Sequence, residues 1–153
     1  STILSDGKSS RLQKKMVEDK KKALGVFSFG RPLMDYSVYT IGAIPLGENS
    51  LDDLITEMDE EIVKLQTTLI SDEDLQKVRN KFENRFVSSN SNIQGIASSL
   101  ASNYMLMGDT NRINTELELV MSITKEEIRE AAKKYLAKNR RVVIDYLPES
   151  QKK

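Results

Sequence analysis

A few stretches of the sequence hold residue types that could do chemistry. Gly7-Lys8-Ser9 ends like a phosphate-binding loop, in which backbone N–H groups and a lysine cradle a nucleotide. That motif needs a second Gly five residues earlier, where Thr2 stands, and a strand upstream, where Thr2, Ile3 and Leu4 read as helix. A helix end followed by an N-cap at Ser9 or Ser10 explains the same residues. Lys14, Lys15, Lys20, Lys21 and Lys22 could attract nucleic acid, but Glu18 and Asp19 interrupt them and no aromatic rings interleave for base stacking. They read as a solvated face. The carboxylates of Asp52-Asp53, Asp59-Glu60-Glu61 and Asp72-Glu73-Asp74 could hold a hard cation. None has the alternating ligand loop with a central Gly that calcium uses, and two of the groups fall in first helical turns, where negative charge complements the dipole. Asp145 is the one acidic residue inside an apolar stretch, and its alternation with Ile144 and Tyr146 points it to solvent. Met34, Met105 and Met107 with Tyr36, Tyr39 and Tyr104 could line a peptide groove; core packing is the simpler expectation.

What the chain lacks bounds its chemistry more tightly. Among 153 residues there is no His, no Cys and no Trp. Without imidazole there is no Ser-His-Asp triad and no histidine-ligated zinc. Lys and Arg number 23 against 23 Asp and Glu, so the net charge is zero and exerts no general pull toward nucleic acid or an anionic membrane. No apolar run approaches the roughly 18 residues of a membrane span, and Ser1 to Lys8 lack the regions of a signal peptide. Hydrophobic residues at 39% and charged residues at 30% describe a globular domain.

The elements that must position these residues follow from periodicity. Thr2, Ile3 and Leu4 before Gly7 read as the last turn of a helix, an opening that suits a fragment of something longer. Ser9 to Lys21 reads as helix, with Leu12 and Met16 inward and Lys14, Lys15, Glu18, Lys21 and Lys22 in water. Leu24–Phe29 and Tyr36–Ile44 predict an antiparallel hairpin with a loop of about six residues. From Ser50 the period becomes helical, with Leu51, Leu54, Ile55, Met58, Ile62, Leu65 and Leu69 on one stripe. A second start lies at Ser71, with Ile70 and Leu75 as a hydrophobic staple, and that helix turns Val78, Phe82 and Phe86 inward. The run Ser88-Ser89-Asn90-Ser91-Asn92 predicts a break. Ile93, Ile96, Ala97, Leu100, Ala101 and Tyr104 then form an inward face that Gly108 closes. A short helix carries Ile113, Leu117, Val120 and Met121, and a last one begins at Thr124 with Ala131, Ala132, Tyr135 and Leu136 inward. Arg140 to Leu147 predicts a third strand ended by Pro148. The sum is an α+β fold, two layers with helices packed on a small, mostly antiparallel sheet whose first strand would precede residue 1; residues 1–148 make one domain and 149–153 a frayed tail.

The order of these elements and three stretches resemble one half-domain of the insulinase/pitrilysin family of zinc metallopeptidases, in its processing-peptidase branch. The stretches are Ser9-Ser10-Arg11-Leu12 opening a helix that leads to a strand; Asp72 to Asn92 with Ile93 to Gly108, closing on Asn103-Tyr104-Met105-Leu106-Met107-Gly108-Asp109; and Ile123-Thr124-Lys125-Glu126-Glu127-Ile128 through Tyr135-Leu136 to Val142-Val143-Ile144. The resemblance implies a C-terminal, non-catalytic half-domain forming part of the wall of a chamber that grips an extended peptide by adding it to a sheet edge. It implies that the zinc motif H-x-x-E-H lies in another domain or subunit, which is this chain's partner, and that the parent is a zinc-dependent metalloendopeptidase. In such families the partner domain contributes an Arg and, seven residues on, a Tyr that touch the substrate. Alignment on Ser10-Arg11-Leu12 puts Val17 and Leu24 at those positions, and neither side chain can donate a hydrogen bond. The family's glycine-rich substrate loop is reduced to Asp6-Gly7-Lys8. No catalytic, substrate-binding or metal residue is therefore carried over, and no cofactor belongs to this chain. An inactive structural module of the same fold is the alternative. The resemblance also favours the cell envelope or periplasm, and an open sheet edge predicts a homodimer.

Overall fold

The computed structural model describes residues 1–33 and 35–147. After an opening turn at residues 2–5 comes a π-helix, Gln13–Asp19, whose last residues are closed by the Lys20 N–H donating to the Lys15 carbonyl at 3.0 Å, an i to i+5 bond. Two strands follow, β1 (Ala23–Pro32) and β2 (Ser37–Pro45), then five helices: α1 (Leu51–Thr67), α2 (Asp72–Ser89), α3 (Ile93–Met107), α4 (Arg112–Ser122) and α5 (Lys125–Tyr135). A 3-10 turn at Lys138–Arg140 leads into residues 141–147. The result is α+β, helices against one face of a two-stranded antiparallel sheet.

Local chemistry sets the helix starts. The Ser50 hydroxyl accepts the Asp53 N–H at 3.1 Å and the Ser71 hydroxyl accepts the Asp74 N–H at 3.0 Å. At Thr124 the capping box closes in both directions: Glu127 N–H to the Thr124 hydroxyl at 3.2 Å, and Thr124 N–H to the Glu127 carboxylate at 2.8 Å. Aspartate in the same third position is one methylene shorter, and only the serine half of the box forms. The predicted break after α2 falls at Asn90–Asn92, and Gly108, at φ +70°, closes α3 with its N–H on the Tyr104 carbonyl at 2.8 Å.

The core is a cluster of Leu4, Leu12, Met16, Ala23, Leu54, Leu65, Ile70, Leu75 and Ala132, with Val17, Val26, Ile41, Ala43, Met58 and Ile128 packed against it. Both staple residues of α2, Ile70 and Leu75, are buried there. The sheet faces this cluster through Val26, Ile41 and Ala43. Its other face carries Phe27, Phe29, Val38 and Ile44, all exposed, and the ring of Phe27 lies over Gly42, its strand partner. Because the strands run further than the hydrophobic alternation shows, the connection between them is 33–36, shorter than six residues.

Several expectations are corrected. Residues 141–147 form no strand, because no backbone among the described residues pairs with them; the sheet has two strands among those residues. Helix α3 buries none of its residues: Ile93, Ile96, Tyr104, Met105 and Met107 are exposed although their spacing is helical. Tyr36 and Tyr39 are exposed as well, so the described members of the methionine and tyrosine set are not core. In α5, Ala132 and Leu136 pack inward but Ala131 and Tyr135 do not. Met34, Pro148 and the tail 149–153 lie outside the described residues.

Candidate functional site

The densest polar arrangement is one the lysine run does not announce. The π-helix buries Leu12 and Met16, which turns Lys15 against α1 instead of into water. Lys21 then takes the left-handed conformation at φ +50°, costly for a residue with a Cβ, in the turn that presents Lys20 and Lys22 to the same helix. All three ammonium groups converge on Glu57: Lys15 Nζ lies 3.0 Å from Oε2, Lys20 Nζ 2.7 Å from Oε2 and Lys22 Nζ 2.8 Å from Oε1. Lys15 also reaches Glu60 at 2.6 Å and Glu61 at 3.3 Å, and Lys64 pairs with Glu61 at 2.7 Å. Glu57 and Glu61 are each 5% exposed.

Burial pushes the Glu57 carboxyl up, but hydrogen bonds from Lys20, Lys22 and Lys15 outweigh it and hold the pKa down to about 2. Burial likewise pushes Lys15 down, and the hydrogen bonds to Glu60, Glu57 and Glu61 more than reverse it. A carboxylate so strongly ionised cannot serve as a general acid near neutrality. Its oxygens are also occupied by ammonium groups, so it is unsuited to ligate a metal. The cluster locks the π-helix onto α1. A second lock holds the 3-10 turn and the residue after it: Asp59 pairs with Lys138 at 2.9 Å and with both terminal nitrogens of Arg141. Burial raises the Asp59 carboxyl and those partners lower it further, leaving it below its ordinary value. A third ties the opening turn to α2, where Lys81 and Arg85 hold Asp6.

Gly7, at φ +96°, makes a tight turn in which the Ser10 hydroxyl and N–H both donate to its carbonyl, so neither is free for a phosphate. Asp52, Asp53, Asp72, Glu73 and Asp74 lie in first helical turns. Asp59, Glu60 and Glu61 lie within α1 and belong to the ion-pair locks. Lys15, Lys20 and Lys22, expected on a solvated face, are corrected to partners of Glu57 because the π-helix and the turn after it pack on α1. Val17 is half-buried against the core cluster. Leu24 is the extra residue of a β-bulge, between the Ala23↔Pro45 and Gly25↔Ile44 pairs, and its side chain is exposed. The two positions are not brought together as a polar pair. The donor set does not fit zinc: there is no imidazole or thiol, and among the described residues no three carboxylates gather as a metal would require.

Sequence reasoning passed over Glu57, although a signal was present. Leu54, Glu57, Glu61 and Leu65 stand at i, i+3, i+7 and i+11, so both glutamates share the buried face of α1.

A small two-stranded sheet backed by helices, with the carboxylates of α1 engaged in ion pairs, defines the α+β class of the chain. Residues 1–82 match the family described as the Peptidase M16 inactive domain, and the chain belongs to that family. Among curated proteins none matches. Solved structures share the fold. A protease from Helicobacter pylori superposes with a TM-score of 0.83 at 24% identity, over 92% of this chain and 34% of that one. The inactive peptidase domain of a "putative zinc protease" from Bordetella parapertussis gives 0.85 at 24% identity, over 96% and 79%. The periplasmic protease PqqL from Escherichia coli gives 0.70 at 20% identity, over 82% and 14%. This chain thus spans about a third of the Helicobacter protein and a smaller share of PqqL.

Proposed function

We propose that this chain is the non-catalytic wall of a peptide chamber in a zinc metallopeptidase, assembled with a domain or subunit of the same family that carries the zinc. The observation that carries this reading is the sheet, covered by helices on one face and bare on the other. Phe27, Phe29, Val38 and Ile44 leave a contiguous apolar surface that a domain with a matching surface would cover. Among the described residues no strand pairs with the outer edges of β1 and β2, which supports a role in taking up an extended peptide. PqqL, which shares the fold, is described as periplasmic, and this supports the same compartment here. No described helix is long and apolar enough to cross a membrane.

The test is reconstitution. The chain is co-purified with the H-x-x-E-H-bearing family member of its own genome, and turnover of a fluorogenic peptide is followed. Alone, the chain is expected to bind less than about 0.1 zinc per molecule by elemental analysis and to cleave nothing; together, a complex forms and turnover rises. Phe27→Glu with Phe29→Glu should abolish that gain. Stoichiometric zinc on the isolated chain, or no complex with the zinc-bearing partner, sinks the reading.

The alternative of a purely structural module draws support from Val17 and Leu24, one engaged in packing and the other a hydrocarbon on a bulge. It predicts a complex whose turnover is the same with or without this chain.

A further inference from the structure

The stretch that carries the lysines to α1 joins three irregular features of the backbone: the π-helix Gln13–Asp19, the left-handed Lys21 and the bulge at Leu24. A π turn and a left-handed residue with a Cβ are rare because each costs more than the α-helical alternative. Both ends of the stretch are fixed in the core by Met16 and Ala23. The helix enters in the α pattern, with the Lys14 N–H donating to the Ser10 carbonyl at 2.9 Å, and leaves in the π pattern, with the Lys20 N–H donating to the Lys15 carbonyl at 3.0 Å. That widened turn decides which lysines meet. Residues five apart diverge by roughly 140° around an α-helix, whereas an i to i+5 bond brings them onto one face. Lys15 and Lys20 stand five apart, and their ammonium groups reach the same oxygen, Oε2 of Glu57, at 3.0 and 2.7 Å. An α-helical register would turn one of them away. The exit of the helix is also wired to the hairpin. The Met16 carbonyl, which an α-helix would give to the Lys20 N–H, accepts the Lys22 N–H at 2.8 Å, and the Lys22 carbonyl accepts the Leu46 N–H at 2.9 Å, beside the Ala23↔Pro45 pair at the open end of the ladder.

We propose that the π-helix is a conformational device set by Glu57. The carboxylate holds Lys15 and Lys20 on one face and with them the π register. When that hold is removed, residues 13–19 relax to an α-helix, the Lys20 N–H takes the Met16 carbonyl from Lys22, and the open end of the hairpin loosens through the Lys22 to Leu46 bond. The stretch thereby links a carboxylate on α1 to the attachment of the sheet. The link is internal to residues 13–57 and does not rest on the peptide-chamber reading.

Scalar couplings across hydrogen bonds, measured by NMR on the whole chain, report which carbonyl each amide meets. In the unmodified protein the Lys20 amide should couple to the Lys15 carbonyl. In Glu57→Gln it is expected to couple to the Met16 carbonyl, and the Leu46 amide should exchange with deuterium about tenfold faster or more, while amides in the middle of the ladder, Phe27 to Phe29, keep their rates. Deletion of Glu18, an exposed residue, is the second variant. It leaves Lys15 and Lys20 four apart, so an ordinary α-helix carries both to Glu57, and Tm is expected to stay within about 3 °C of the unmodified protein. Deletion of Asn80, an exposed residue of α2, is the reference for an ordinary helix and should lower Tm by about 10 °C or more. A Glu57→Gln variant that keeps the Lys20 to Lys15 coupling overturns the proposal. So do two deletions that cost alike, and this comparison decides the matter if Glu57→Gln does not fold.

Discussion

Glu57 shows how one carboxylate can organise a region. With three ammonium groups within 3.0 Å, it is worth more ionised than neutral, and its pKa of about 2 against an ordinary value of 4.5 expresses that preference. A depressed carboxyl contributes its stability in full above the unfolded value, and the contribution is lost as pH falls through about 4.5 toward 2. Glu57→Gln is therefore expected to cost about 2 to 3 kcal/mol in urea unfolding at pH 7. The gap to the unmodified protein should shrink steadily below pH 4.5, and a gap that stays constant down to pH 2.5 would show the lysines to be idle neighbours. The residue was legible in outline only. A helical wheel places Glu57 on the buried face, but which cations meet it depends on the turn at Lys21 and on the packing of the π-helix, neither of which has a local signature.

At the scale of elements, starts and stops were the readable part, because caps act within four residues. Ser50, Ser71, Thr124 and Gly108 end or begin helices where their chemistry says they must. What covers an apolar face was not readable. Periodicity marks the stripe on α3 and the alternation of 142–146, yet α3 buries nothing and the latter pairs with no backbone among the described residues, since periodicity reports a face and never its neighbour. Two glycines separate close packing from loose packing. A Cβ at Gly95 would fall 1.8 Å from the Ser89 carbonyl oxygen, a backbone atom at the α2–α3 break that cannot step aside. A Cβ at Gly42 would first meet the Phe27 ring, at 2.2 Å, and that exposed ring can swing into solvent. Gly95→Ala is expected to cost about 2 to 3 kcal/mol and lower Tm by about 5 °C or more, Gly42→Ala less than about 1 kcal/mol. Equal losses in thermal unfolding would refute the distinction.

Across the whole molecule the buried cluster is unevenly placed. Apart from Ala132, its members all lie within residues 1–82, the span the family model covers, and they come from the opening turn, the π-helix, β1, α1 and the segment entering α2. The family's pattern therefore coincides with the part that packs most tightly. Amides of α1 should exchange with deuterium orders of magnitude more slowly than those of α3, whose side chains lack a buried anchor. Uniform protection across both helices would contradict this.

The break at Asn90–Asn92 sits between these two regimes, with the anchored helix before it and the unburied one after. A broad-specificity protease at low dose should make its first cut there, ahead of any cut within α1.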